Sequence, residues 1–243
     1  MKDVLVHTRN VQEALKAIDF LLARPVKQIV GMSLLSGPPS TGKTGFGERI
    51  APDRGWIFQR ITESDTTKSF FIGLYQNLVY SGTGRHDTVI PRGSTNKIYK
   101  SCLSLLQQKP QVIIIDEINN AFRHRSIFNS VRDLVDMSFS IFVLMGESDA
   151  YSVLQGMNEH YFDRVNQFVR FKRLNLDDIH LVVDQKSDIE MDDDVINWLM
   201  MRTNGKWRQL NKLIFILENF AKSRNQEKLA FDDIPEAIRK NNG

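Results

Sequence analysis

The sequence predicts an α/β domain whose mostly parallel sheet is covered by helices on both faces, followed by a small all-helical domain. Three observations carry that expectation. Strand-like and helical stretches alternate over residues 10–171, the strand-like ones are short apolar runs of the kind buried on both faces, and the strand signal stops after Leu174. The 243 residues suffice for one to two domains with a sizeable core, and 42% hydrophobic beside 25% charged residues excludes disordered, collagen-like and membrane-spanning classes. The longest apolar runs, at residues 112–115 and 141–145, are strand-sized and could not span a bilayer, so no membrane partner is expected. A single cysteine, Cys102, permits no internal disulfide, and the opening Met-Lys-Asp-Val lacks a secretory layout. An intracellular, cytoplasmic protein is expected. Lys plus Arg number 32 against 29 Asp plus Glu, a net charge of +3, so any nucleic-acid partner must be argued from where the charge sits.

Each element follows from a local signal. Asn10 with Glu13 reads as a capping pair, and Val11, Leu15, Ile18 and Leu22 fall at helical spacing as far as about Arg24. The apolar segment 32–36 is a strand that must end where Gly37-Pro38-Pro39 begins. Then come a strand at 56–60, helices at 67–80 and 94–107, a strand at 112–115, a helix at 126–136, a strand at 141–145, a short helix near Ala150 and a last strand at 167–171. Residues 177–184, 192–202, 206–224 and 232–240 read as helices, several opening with Asp where the helix dipole favours it. Residues 81–94 form a glycine- and proline-punctuated loop.

Gly37, Pro38, Pro39, Ser40, Thr41, Gly42, Lys43 and Thr44 satisfy G-x-x-x-x-G-K-[ST] completely, between a predicted strand and a predicted helix. Such a loop folds back so that its N–H groups and the following helix point at phosphate oxygens. Lys43 would reach the β- and γ-phosphates as a point charge, and the Thr44 hydroxyl would ligate the magnesium ion that bridges them. A carboxylate at a second strand end is needed to complete the site. Asp116 supplies it at the end of the buried run 112–115, where ligands gather in open α/β sheets, and would hold Mg2+ through water. Glu117 beside it is the candidate general base.

The Asp116-Glu117 pair directly after an apolar strand, together with the helical carboxy-terminal region, resembles the AAA+ ATPases. The resemblance covers nearly the whole chain and implies a P-loop core at residues 1–173 and a helical lid at 174–243. It also implies a polar residue at the end of the 141–145 strand that senses the γ-phosphate. Here that strand runs into Gly146-Glu147-Ser148, and an acid beside a phosphate would repel it. Tyr161-Phe162-Asp163-Arg164-Val165 looks like the segment carrying the arginine finger, with Arg164 as the finger and Arg170 and Arg173 as competitors. Gly205-Lys206-Trp207-Arg208 is similar to the second sensor, through which Arg208 would reach the nucleotide.

Closer in, the chain resembles the MuB and TnsC group of transposon target-selecting ATPases. That resemblance rests on the short first helix headed by His7-Thr8-Arg9-Asn10, the lengths between motifs, the Ser130-Val131-Arg132-Asp133-Leu134 helix and the compact lid with its Gly205–Leu210 stretch. It implies ATP and Mg2+ as cofactors, assembly as a homo-oligomeric filament or ring on double-stranded DNA, and recruitment or stimulation of a transposase. The first helix starts too early for the amino-terminal appendage MuB carries, so DNA contact is expected from the ATPase core. Thr67 and Lys68, at the start of one helix, and Arg85, Arg92, Lys97 and Lys100, in and after the punctuated loop, are the candidates, by backbone contacts that carry no sequence information. Arg123, His124 and Arg125 form a second basic cluster. Two other readings remain open: a helicase-loader-like AAA+ ATPase and a nucleotide-switched interaction module with little turnover. Cys102 reads as core, Trp198 and Trp207 as packing of the small domain, and the five histidines show no metal-ligand spacing.

Overall fold

Five short apolar segments, each a strand as expected, build one parallel sheet in the computed structural model, which describes residues 1–85, 89–157 and 159–241. They are β1 (Met32–Ser36), β2 (Ile57–Arg60), β3 (Val112–Asp116), β4 (Ile141–Gly146) and β5 (Gln167–Arg170), in the order β2-β3-β4-β1-β5. All residues of β1, β3 and β4 are buried, as sheets covered on both faces require. The parallel register places Arg60 beside Asp116 and Ser36 beside Gly146, so the carboxyl ends of these strands share one edge.

Helix α1 (Arg9–Leu22) precedes β1, and between the strands lie α2 (Lys43–Arg54), α3 (Thr67–Thr83), α4 (Thr95–Gln108), α5 (Ile118–Arg123), α6 (Arg125–Ser138), α7 (Ala150–Met157) and α8 (Glu159–Phe162). After β5 follow α9 (Leu176–Lys186), α10 (Asp193–Thr203), α11 (Trp207–Ser223), a 3-10 turn at Phe231–Asp233 and α12 (Ile234–Asn241). Contacts divide the chain into two compact units. One comprises Glu13–Gly37 and Lys43–Arg170; the other comprises Met1–Gln12, Pro38–Gly42 and Phe171–Gly243. Each has its own apolar core. In the first, Phe70, Phe71, Ile113, Ile115, Phe128 and Phe142 are among the fully buried residues. In the second, Ile179, Leu199, Leu210, Ile214 and Leu217 are buried, with Trp198 and Trp207 packed against them. Cys102 is wholly buried in the first core, and burial pushes its thiol up to about 12, which leaves it a packing residue rather than a nucleophile. Among the described residues no helix is long and apolar enough to cross a membrane.

Several local expectations are corrected. Asn10 does not cap α1: the helix begins at Arg9, whose N–H donates to Asp178 Oδ1 at 2.9 Å. The Asn10 amide instead pairs with the Lys172 backbone, donating to its carbonyl at 2.7 Å and accepting its N–H at 2.9 Å. A remote carboxylate thus does the capping that a local pair was expected to do. Helix α3 runs on through Thr83 and stops where Gly84 adopts φ 67°, so residues 81–83 of the expected loop are helical. Residues 86–88 of that loop lie outside the described residues. The second unit is not purely helical, because β6 (Glu190–Met191) and β7 (Lys228–Leu229) pair in parallel. Two residues per strand are too few to leave a period in the sequence.

Candidate nucleotide site

Within the unit built on the five-stranded sheet, the site forms at the carboxyl ends of β2, β3 and β4. Asp116 ends β3, is 2% exposed, and accepts the Thr44 hydroxyl on Oδ2 at 2.9 Å. Thr44 is the second residue of α2, so the helix into which the G-x-x-x-x-G-K-[ST] motif leads carries its hydroxyl to the carboxylate strand. The Lys43 ammonium donates to the Gly37 carbonyl at 2.7 Å. Burial pulls its pKa down, and the carboxylates of Asp116, Glu117 and Glu147 act in the opposite direction. Lys43 therefore lies within electrostatic reach of three acidic groups that partly offset its burial.

Two oxygen donors, Thr44 Oγ1 and Asp116 Oδ2, meet beside that lysine. This fits a hard cation such as Mg2+, which takes one or two carboxylates, keeps several waters and draws its remaining ligands from phosphates. Among the described residues no group of three or more His, Cys, Asp or Glu side chains converges as a metal cage, and a phosphate-bridged Mg2+ needs none.

Glu117 leaves β3 at φ 60° and ψ 44°, a left-handed conformation that costs a non-glycine residue energy. Burial raises its carboxyl pKa first, then the charges of Asp116 and Glu147 raise it further, while Arg60 and Lys43 oppose them. A carboxyl raised in this way suits a general base better than an ordinary surface glutamate does. Glu147 follows β4, and its backbone N–H donates to Asn119 Oδ1 at 2.9 Å. Asn119 in turn donates to Asp149 at 2.9 Å. Glu63, Glu117, Asn119, Asn120, Glu147 and Asp149 help line a cavity of about 280 Å³.

Sequence reasoning missed Arg60 and Asn119. Arg60 donates to Asp116 Oδ2 through Nε and Nη2, each at 3.2 Å, and to Glu48 at 3.3 Å. Its signal was a basic residue at the end of a strand that neighbours the carboxylate strand. Asn119 supplies an amide at the end of β4, where Glu147 alone had been considered.

In the other unit, Thr41 donates through Oγ1 to the Pro38 carbonyl at 2.9 Å, Ser40 has φ 63° and Gly42 φ 94°. Trp207 N–H donates to the Ser40 carbonyl at 2.8 Å and Arg208 N–H to Ser40 Oγ at 3.0 Å. Arg208 itself is exposed near the start of α11.

Arg164 is held within its own chain: Nε meets both Asp136 oxygens at 2.9 and 3.2 Å, and Nη1 donates to the His160 carbonyl. The basic candidates divide. Thr67 Oγ1 lies 2.7 Å from Ser126 Oγ, which brings the start of α3, with exposed Lys68, to the Arg123-His124-Arg125 cluster. Arg85 follows the other end of α3, whose 17 residues span about 25 Å. Arg92, Lys97 and Lys100 are exposed in and after the loop that follows.

Residues 33–142 match the family model "AAA: ATPase family associated with various cellular activities". Within that stretch, from β1 into β4, the chain matches an AAA ATPase domain. No curated protein matches the sequence. Among solved structures, Cdc6p of Pyrobaculum aerophilum aligns with a TM-score of 0.67 at 16% identity, over 94% of this chain and 66% of its own length. The ORC1 protein of Aeropyrum pernix, solved in complex with DNA, aligns with a TM-score of 0.62 at 15% identity over 98% of this chain and 66% of its own. The RuvB Holliday junction branch migration motor of Thermotoga maritima gives 0.59 at 15% identity, over 96% and 69%. The chain thus spans about two thirds of the length of these structures. At such identities the likeness is one of fold, an AAA+ core with a five-stranded parallel sheet and a carboxy-terminal helical region, and the ATPase domain implies ATP binding.

Proposed function

We propose that this AAA ATPase regulates DNA transposition: bound to ATP and Mg2+, it assembles as a homo-oligomeric filament or ring on double-stranded DNA, marks a target and recruits or stimulates a transposase. The observation that carries the nucleotide half of this reading is the meeting of Thr44 Oγ1 and Asp116 Oδ2 at 2.9 Å beside Lys43. The loop Gly37, Pro38, Pro39, Ser40, Thr41 and Gly42 would cradle the phosphates, the two prolines shaping it and the other residues offering backbone N–H groups. Lys43 would neutralise their charge, Thr44 and Asp116 would hold Mg2+, and Glu117 would orient and deprotonate water. The bound metal supplies charge neutralisation at the phosphates. Arg208 is proposed to approach the nucleotide from α11. Arg164, as the finger acting on a neighbouring subunit, would have to leave Asp136 on assembly.

The DNA half is supported by exposed Lys68, Arg85, Arg92, Lys97 and Lys100, with Thr67 beside Lys68, and by neighbours of similar fold that are described with DNA or as a Holliday junction motor. Contacts of this kind fix a protein on the duplex backbone without reading bases, as a selector of many targets requires. The transposase partner rests on the resemblance to the MuB and TnsC group alone.

The deciding experiment is duplex DNA binding with ATP, ADP or no nucleotide, followed by electron microscopy. Expected are ordered assemblies with ATP alone and an affinity that falls steeply with salt. Binding that ignores nucleotide, or none at low salt, defeats the reading. One observation favours a second reading, a nucleotide-switched module with little turnover: Glu147 stands at the end of β4 and its charge raises the Glu117 carboxyl. Vigorous phosphate release stimulated by DNA eliminates that alternative.

A further inference from the structure

Helix α11 begins without a capping side chain of its own, since Lys206 at its N-cap makes no such bond. Its first two N–H groups are instead taken by Ser40, a residue of the G-x-x-x-x-G-K-[ST] loop more than 160 positions earlier. The Trp207 N–H goes to the Ser40 carbonyl and the Arg208 N–H to the Ser40 hydroxyl. Ser40 does this in a left-handed conformation, φ 63°, which a serine holds only where its surroundings fix it. Further contacts bear on the same spot. A Cβ on Gly42 would lie 3.6 Å from the Trp207 ring, and the ammonium of buried Lys186 lies 5.4 Å from that ring's centroid. Gly205, at φ 67°, sets where α11 starts, because any side chain there would collide with the Leu174 carbonyl at 2.2 Å.

We propose that Ser40 is a positioning residue: it caps α11 from within the phosphate loop and so sets the place of Arg208 according to the state of that loop. The inference rests on the reading that residues 37–44 bind ATP and goes beyond it, because that reading requires nothing of the residue at position 40 except a backbone N–H. Here the Ser40 hydroxyl and carbonyl face the helix start, so any rearrangement of the loop around phosphate is transmitted to the first turn of α11. Trp207, lying against Gly42, reports the same movement.

The test uses the full chain with Trp56→Phe and Trp198→Phe, which leaves Trp207 as the sole tryptophan. Addition of ATP and Mg2+ is expected to change Trp207 emission. Ser40→Gly keeps the left-handed backbone but deletes the hydroxyl, and is expected to lower kcat about fivefold, the scale of a lost cap, at nearly constant KM. It is also expected to shrink the emission change. Asn accepts the left-handed region and offers a capping oxygen, so Ser40→Asn is expected to restore most of the loss. Arg208→Ala is expected to cost no more in Ser40→Gly than the larger of the two losses alone, since one residue acts through the other. Multiplying losses, an Asn variant no better than Gly, or an emission change untouched by Ser40→Gly would overturn the proposal while leaving ATP binding intact. A wild-type chain that shows neither heat nor turnover with ATP and Mg2+ defeats the nucleotide reading itself and the inference with it.

Discussion

β3 and β4 lie side by side, run in the same direction and each lead into a glutamate, yet the two strand ends are chemically different. β3 places Asp116 before its glutamate, and the neighbouring helix and strand bring Thr44 and Arg60 onto that carboxylate at 2.9 and 3.2 Å. β4 places Gly146 before Glu147, and what meets it is the amide of Asn119. Position along the strand is therefore not what fits the end of β3 to the proposed metal and nucleotide site. The difference comes from partners supplied by α2 and β2: a buried carboxylate already matched to a hydroxyl and a cation can exchange those partners for a metal ion, whereas a backbone N–H closed by a neutral amide cannot.

The largest effect is expected where those partners converge. Asp116→Ala removes the carboxylate that Thr44 and Arg60 share and is expected to cut ATP turnover by about a thousandfold, read as phosphate release in the presence of Mg2+. The same change at Glu147 should do nothing of the kind; equal losses at both ends would erase the contrast between them. Glu117→Gln follows, with a loss of about a hundredfold in kcat and little change in ATP affinity by calorimetry. Its stability moves the other way. The Glu117 pKa is raised in the folded chain, so the fold binds that proton more tightly than the unfolded chain does. The stability this contributes is present below the ordinary carboxylate pKa and is lost as pH rises through the raised one. Above the raised pKa the ionised group opposes folding, and there Glu117→Gln is expected to raise Tm. A lowered Tm in that range would mean that the carboxylate is better solvated than its neighbours imply.

Much of the β3 end was legible because its chemistry is local. Eight consecutive residues specify the loop from Gly37 to Thr44, and four β-branched residues followed by two acids specify the strand and its carboxylates. The three central strands β1, β3 and β4 were legible for the same reason, each a short run buried throughout, whereas β2 and β5 at the sheet's edges mix apolar with polar residues. What escaped is non-local. Arg60 becomes part of the site only because the register sets it opposite Asp116, and Asn119 only because α5 folds back against β4. The expected Asn10 cap failed because Asp178, 169 positions from Arg9, accepts the Arg9 N–H in its place. The β6–β7 pair was invisible because two residues make no period. The basic candidates are exposed, but one-dimensional spacing could not tell that the start of α3 meets Ser126 through Thr67 while Arg85 stands at the far end of that helix.

A third prediction concerns packing at the β4 end. A Cβ on Gly146 would lie 2.6 Å from Asn119 Oδ1 and 2.8 Å from both Ala150 and Ile118. Gly146→Ala is therefore expected to destabilise the chain by about 1–3 kcal/mol, measured as a shift of the urea midpoint at constant slope. Asn119→Ala in the same chain should recover part of that loss, since it removes the nearest obstacle. Strict additivity of the two would show that Ala150 and Ile118, rather than the amide, fix the glycine.

The smallest effect should come from Glu147 itself, and it tests whether the two strand ends speak to each other. The charge of Glu147 raises the Glu117 carboxyl, but it stands behind burial and behind Asp116 among the causes. Glu147→Gln removes only this lesser contribution, so the Glu117 pKa should fall, and by less than loss of the Asp116 charge would lower it. The acid limb of the kcat profile should then move to lower pH by the same amount. On the plateau above that limb, kcat should change by about threefold or less. Glu147→Asp keeps the charge and should leave the limb where it is. If both variants leave it unmoved, the two ends are electrostatically independent, and the acid at the end of β4 has no hold over the base at the end of β3.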